Sequence, residues 1–354
     1  MKLLAAAVAL IGLLIVTSPG VRGCDLCGCY TPQLETFPQD PGSFDQPSAR
    51  SSPSFSSRFY VAVAEQFTHF GTVQVDGEEI ANPTGQYLDS SNTQLVAGYS
   101  ISSRLAVQFN LPLIYRSFKR PEGFAIDRGT ESGPGDVSLL AKYVLFRTEK
   151  GGSAHLDFSD PKSPHMKTTE ADFTASALLV AGVKFPTGDT GRLKEEFDEM
   201  EIPGAPPSGI HGHDLALGTG SFDGIFGGQA ALRYHNFFFE ADAQFAWRGD
   251  GEHQYDFAND ISWSGCPGYY FTRNHRAIVG LQFVVSGEHK DLDRFRGAPV
   301  EDTGITSVFL GPRIVASVGK VSAELGVDIP VLIDNTSLQT VPDYRIRGGI
   351  ALRF

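Results

Sequence analysis

Three thiols crowd into Cys24-Asp25-Leu26-Cys27-Gly28-Cys29, the sharpest chemical motif in the 354-residue chain. Thiolates this close suit a soft ion such as Cu(I) or Zn²⁺. The same spacing accommodates a local disulfide with one thiol left over, or lipidation of Cys24. Gly28 rather than His follows Cys27, so the haem-attachment pattern is absent. A second ligand set, His211-x-His213-Asp214, offers two imidazoles and a carboxylate. It lies near the acidic run Glu195-Glu196-Phe197-Asp198-Glu199. The plainer reading of this second set is a solvated loop. The acidic run also suits loose binding of divalent cations at a lipopolysaccharide-rich surface.

Nucleophilic catalysis wants a Ser beside a His that a third residue holds in place. The chain has no nucleophile-elbow sequence and no His-x-Ser-Asn cluster, and its Ser and His are scattered without linked spacing. The expectation is a protein that is not an enzyme and requires no cofactor, with Cu or Zn at the cysteines as the one candidate. Forty-one acidic residues against 29 basic ones give a net charge of -12, which argues against a nucleic-acid partner.

The remaining chemistry lies in polar residues set singly among apolar ones: Gln108, Asn110, Arg116, Lys142, Lys184, Glu240, Asp242 and Arg248. What positions them is a period of two. Leu105, Val107, Phe109, Leu111, Leu113 and Tyr115 alternate with Ala106, Gln108, Asn110 and Arg116. Phe237, Phe239, Ala241, Ala243, Phe245 and Trp247 alternate with Glu240, Asp242, Gln244 and Arg248. Similar runs cover 58–70, 93–101, 136–146, 173–185, 222–234, 277–285, 305–318, 321–333 and 344–354. One more is expected from Tyr255 and Phe257 through Ile261 and Trp263. The count is about twelve strands.

Alternation alone fits a soluble sandwich as well as a membrane barrel. Length decides, because soluble strands average about five or six residues and these run to eleven or more. The predicted fold is an all-β antiparallel transmembrane barrel over 58–354, apolar toward lipid and polar toward the lumen. The eight polar residues named above then line that lumen, either as charge that selects solutes or as the satisfied interior of a plugged barrel.

Link lengths support the same fold. Short links at Ser102-Ser103, His235-Asn236, Thr272 to His275 and Gly319-Lys320 alternate with long ones at Ser117 to Gly135, Thr187 to Gly218, Glu288 to Thr303 and Asp334 to Asp343. Short periplasmic turns and long external loops give this pattern, with both termini in the periplasm. Arg147 to Ala171 breaks it, being long where a short turn is due.

Ahead of the barrel, Lys2 and the apolar run Leu3 to Val16 predict a signal peptide over 1–23. The run is too short for a permanent span of about 20 residues. The Cys-, Pro- and Ser-rich stretch 24–57 reads as a disordered periplasmic arm. At the other end, Tyr344, Ile346, Ile350, Leu352 and Phe354 share one face of a final strand. Such a strand ending in Phe resembles the signal read by the barrel assembly machinery of Gram-negative outer membranes.

Several phrases resemble the family of outer-membrane transporters labelled "MetA-pathway of phenol degradation". They are Gly133-Pro134-Gly135-Asp136 with Lys142-Tyr143, Gly182-Val183-Lys184-Phe185-Pro186-Thr187-Gly188-Asp189, and Leu217-Gly218-Thr219-Gly220-Ser221-Phe222-Asp223. Val341-Pro342-Asp343-Tyr344-Arg345 and the terminal Arg353-Phe354 follow in the family's order. The resemblance spans roughly Arg58 to Phe354. It implies an outer-membrane barrel, in contact with lipid and lipopolysaccharide, that passes small solutes, aromatic or otherwise hydrophobic, and has no catalytic residues to carry over. The cysteine cluster and the Arg147 to Ala171 link depart from the family pattern. The competing expectation is an outer-membrane-anchored metal-handling protein that uses Cys24, Cys27 and Cys29.

Overall fold

The computed structural model describes residues 58–354 apart from 152, 158–164, 170–171, 199–201 and 275–276. The expected signal peptide, the arm and the ligands Cys24, Cys27 and Cys29 lie outside the described residues.

Twelve antiparallel strands form one closed wall. They are β1 (Phe59–Val75), β2 (Tyr87–Ser100), β3 (Leu105–Glu122), β4 (Ser138–Lys150), β5 (Phe173–Lys184) and β6 (Asp223–Tyr234). The second half is β7 (Phe237–Trp247), β8 (Asp260–Arg273), β9 (Ala277–Lys290), β10 (Ile305–Val318), β11 (Val321–Asn335) and β12 (Leu338–Arg353). Each pairs with its sequence neighbours, and β12 returns to β1 in a register running from Tyr60↔Arg353 to Val75↔Leu338. Closure leaves no open edge, the condition for a sheet to cross lipid.

The polarity of the wall is inverted relative to a soluble fold. Side chains that alternate outward are apolar and exposed, among them Phe271 at 64%, Trp247 at 62% and Ile350 at 60%. Those that alternate inward are polar and buried, among them Asn110, Arg345 and Gln282. A two-layer sandwich would show the reverse. The rim that carries the short turns at 102–103, 235–236 and 319–320 also holds both ends of the wall. There Phe59 packs against Phe354 and Phe237 against Tyr269, an aromatic girdle of the kind found at membrane interfaces.

At the other rim the strands outrun their apolar pattern. Links expected as loops at Ser117 to Gly135 and Asp334 to Asp343 are largely strand. β3 continues to Glu122 and pairs with Ala125–Pro134, and only Thr336 and Ser337 separate β11 from β12. Beyond the membrane a strand has no lipid to face, so alternation of apolar residues is lost while backbone pairing persists. The expected strand through Tyr255 and Phe257 is also corrected. Tyr255–Asp256 pairs instead with Arg294–Phe295, which pairs with Ala298–Pro299, a small sheet outside the barrel path. Tyr255 and Phe257 pack with Leu193 and Ala216, and the membrane strand begins at Asp260. The anomalous link after β4 holds a hairpin of Ser153–Asp157 with His165–Thr169.

Candidate functional site: the lumen and the link that crosses its mouth

Alternation along β3, β4, β5 and β7 turns Gln108, Asn110, Arg116, Lys142, Lys184, Glu240 and Asp242 toward the interior, and Arg248, just past the end of β7, is buried too. The structure does not gather them into one constellation. Gln108, Asn110 and their neighbours form a chain of neutral hydrogen bonds along one wall. Tyr60 Oη donates to Gln108 Oε1 at 2.7 Å, Gln108 Nε2 to Asn110 Oδ1 at 2.6 Å, and Asn110 Nδ2 to Ser138 Oγ at 2.8 Å. Across the lumen, Glu240 accepts from Gln282 Nε2 at 2.7 Å, and Asp242 accepts from Ser264 Oγ.

A denser ionic set occupies β9 to β12. Arg345 pairs with Glu288 and lies 3.5 Å over the ring of Phe309. Arg347 approaches Asp328 at 3.3 Å, and Arg313 approaches Glu324 at 3.6 Å. These residues were missed in the sequence although the signal was present: Tyr344-Arg345-Ile346-Arg347 is the same alternation, with arginine at the inward positions.

Three of the phrases quoted above converge on one carboxylate. Asp136, at the break between Ala125–Pro134 and β4, accepts from Lys184 Nζ at 3.0 Å and from Thr219 Oγ1 at 2.9 Å. It also accepts from the backbone N–H groups of Thr187 at 3.0 Å, Gly188 at 2.8 Å and Thr219 at 2.8 Å. The approach needs glycine: a Cβ on Gly188 would meet the Leu217 carbonyl at 2.5 Å, and one on Gly218 would meet Asp136 Oδ1 at 2.7 Å. From this point an ionic chain runs round the wall. Lys184 pairs with Asp223 at 2.6 Å, Asp223 with Arg248 at 2.7 Å, and Arg248 with Asp260. Lys184 and Arg248 are thus fixed structural cations rather than loose lining groups.

The link between β5 and β6, residues 185–222, starts on one side of the barrel and reaches the other. Arg116 on β3 donates to the carbonyls of Asp214 and, at 2.8 Å, Ala216. Gly209 N donates to Gln86 at 2.8 Å, and Thr340 N on β12 donates to the Gly209 carbonyl at 2.9 Å. Ile210 and Leu215 share a buried cluster with Phe70, Leu88 and Phe118 from β1, β2 and β3. A segment rooted between the fifth and sixth strands can touch the twelfth, first, second and third only by crossing the mouth. Arg116, one of the residues expected to line the lumen, anchors this crossing.

Charge holds the crossing in place. Arg120 and Arg192 both reach Glu195, Arg120 at 2.7 Å. Burial pushes the Glu195 carboxyl up, but the two guanidinium groups outweigh it and hold it below the usual carboxylate range. His211 and His213 are brought beside Asp214, as the spacing suggested. Burial disfavours the His213 imidazolium, yet Asp214 and Glu196 reverse that and raise it to about 10. The solvated-loop expectation fails here, since His213 and Asp214 are buried.

On β1 and β2 a polar group interrupts the apolar face. Glu65 on β1 points to the lipid side between Val63 and Phe67 and accepts from Ser91 Oγ at 2.5 Å and from Thr93 Oγ1. Tyr344, Ile346, Ile350 and Leu352 also lie on that side, on the terminal strand β12, with Phe354 just beyond its end.

No family model matches the chain, and no curated protein sequence matches it. Solved structures do. An outer membrane channel from Pseudomonas putida F1 superposes with a TM-score of 0.53 at 14% identity, over 88% of this chain and 99% of that one. The β domain of the Bordetella autotransporter BrkA gives 0.43 at 11% identity, over 84% of this chain and 100% of that one. A FadL homologue from Pseudomonas aeruginosa gives 0.34 at 8% identity, over 84% and 90%. The first of these likenesses supports the fold: a transmembrane barrel of the outer-membrane type.

Proposed function

We propose that this protein is an outer-membrane channel for small solutes, with the 185–222 link as the constriction in its path. The observation that carries the reading is the inverted polarity of a closed wall whose charged and amide interior is crossed by the 185–222 link. Inward amides and ion pairs can replace part of a solute's hydration as it passes. Twelve strands enclose more room than filled eight-stranded barrels and less than open sixteen-stranded porins, so one link suffices to narrow the path.

The resemblance to the "MetA-pathway of phenol degradation" transporters belongs to the same proposal, and with it small aromatic or other hydrophobic solutes. What supports it is that Gly135-Asp136, Lys184 to Gly188 and Leu217 to Asp223, far apart in sequence, form one knot around Asp136. Both termini then face the periplasm, the longer links face lipopolysaccharide, and the final strand with Tyr344, Ile346, Ile350, Leu352 and Phe354 addresses the assembly machinery. Uptake into proteoliposomes tests the reading. Small aromatic acids should enter faster than hexoses of similar mass, and Arg116→Ala should raise both rates by loosening the crossing. Equal, protein-independent rates for both solutes and both proteins would end the proposal.

A further inference from the structure

We propose that the link crossing the mouth carries a divalent transition-metal site with His211, His213 and Asp214 as ligands, Asp302 holding His211 from the neighbouring link. Candidate ligand atoms of His211, His213 and Asp214 lie within 4.8 Å of one another. His213 Nε2 is 3.4 Å from Asp214 Oδ1, and Asp302 pairs with His211 Nδ1. Two imidazoles and a carboxylate, with the remaining positions left to water, form a borderline donor set that suits Zn²⁺, Co²⁺ or Ni²⁺ better than a thiolate-seeking ion or Ca²⁺.

The surroundings are built as those of metal ligands usually are. His213 presents its other ring nitrogen, Nδ1, to Glu196 Oε1 at 3.0 Å, and the same oxygen accepts from the His213 backbone N–H at 2.8 Å. A carboxylate on the far nitrogen fixes ring orientation and strengthens the near nitrogen as a donor. Tyr255 stacks on the His213 ring with centroids 5.6 Å apart and planes 17° apart. Asp214 is held as well, because its Oδ2 accepts from His211 N at 2.9 Å and leaves Oδ1 toward His213. Only 2% of the His213 side chain and 8% of that of Asp214 are exposed, with 14% for His211 and 18% for Asp302.

Charge and topology point the same way. Asp214, Asp302 and Glu196 place three carboxylates around two imidazoles, and a dication that displaces the His213 proton would carry the compensating charge in its place. Glu196 comes from the 3-10 turn Gly191–Phe197, the two histidines from the short helix Gly212–Leu215 and the residue preceding it, and Asp302 from the link between β9 and β10. A bound ion would therefore fasten the crossing link to its neighbour.

The test uses the full chain without an affinity tag, with Cys24, Cys27 and Cys29 replaced by Ser so that thiols cannot compete. After chelator treatment, Co²⁺ is titrated and its visible absorption followed, with Zn²⁺ as competitor. One Co²⁺ per chain is expected, displaced by Zn²⁺, and weakened ~10- to 100-fold in Glu196→Gln. His213→Gln should weaken it further, and Asp302→Asn by a similar factor to Glu196→Gln. His211→Gln, at the more exposed ligand, answers if a buried change prevents folding. Zn²⁺ should also slow proteolysis of 185–222 in the parent but not in His211→Gln. Absence of Co²⁺ absorption, or absorption unchanged in His213→Gln and Asp302→Asn, would overturn the assignment. None of these readouts depends on solute passage.

Discussion

Asp136 accepts hydrogen bonds from five donors on two other segments, and its removal would strand several of them at once. A buried donor left unsatisfied costs about 1–3 kcal/mol, less where rim water can enter. Asp136→Ala should therefore free the 185–222 link, seen as at least ~10-fold faster proteolysis within it while the barrel stays intact; an unchanged rate would mean the link is held elsewhere. Glu65 makes the opposite case. A polar group on the lipid face is a liability that depends on depth, so Glu65→Leu should raise the unfolding free energy in lipid vesicles by about 1–2 kcal/mol, read as a higher denaturant midpoint. A lower midpoint would show that its bonds to Ser91 and Thr93 outweigh the lipid penalty. At this scale the sequence was legible only in direction. Alternation told which way Gln108, Lys184 and Arg248 point, but not that Asp223 sits between Lys184 and Arg248, because partners on different strands carry no spacing signal.

Elements were most legible where lipid imposes a pattern. β3 and β7 stood out because each outward residue must be apolar, and the turn at His235-Asn236 because two such runs abut there. Legibility failed beyond the membrane, at Ala125–Pro134 and at the start of β12, where paired strands need no apolar face. It failed again at Tyr255 and Phe257, whose alternation serves a small extramembrane cluster. The hairpin Ser153–Asp157 with His165–Thr169 pairs only with itself. Replacing 152–170 by a short turn should leave barrel assembly and outer-membrane yield unchanged, whereas loss of folded protein would assign the hairpin a part in the wall. The crossing link is pH-sensitive through Glu195. Its carboxyl is depressed below the ordinary 4.5, so the stabilisation is complete above that value and is lost as pH falls through the lower folded value. Link proteolysis at constant barrel content should rise on that acid side, and Glu195→Gln should flatten that rise.

For the whole molecule, one geometric condition organises the rest: a closed wall with grease outside and hydrogen-bonded charge inside. Closure, strand number and face polarity followed from the period and length of the runs. The filling of the mouth did not, since 185–222 is rich in Gly and Pro and its contacts with Gln86, Arg116 and Thr340 are made across the barrel's width. Single-channel recording in planar bilayers tests this arrangement most directly, comparing the native chain with one in which 191–216 is replaced by a short Gly-Ser linker. The native protein should give small discrete steps, and the shortened one should give steps several-fold larger at the same salt. No conductance from the shortened, folded barrel would contradict a lumen that runs from rim to rim.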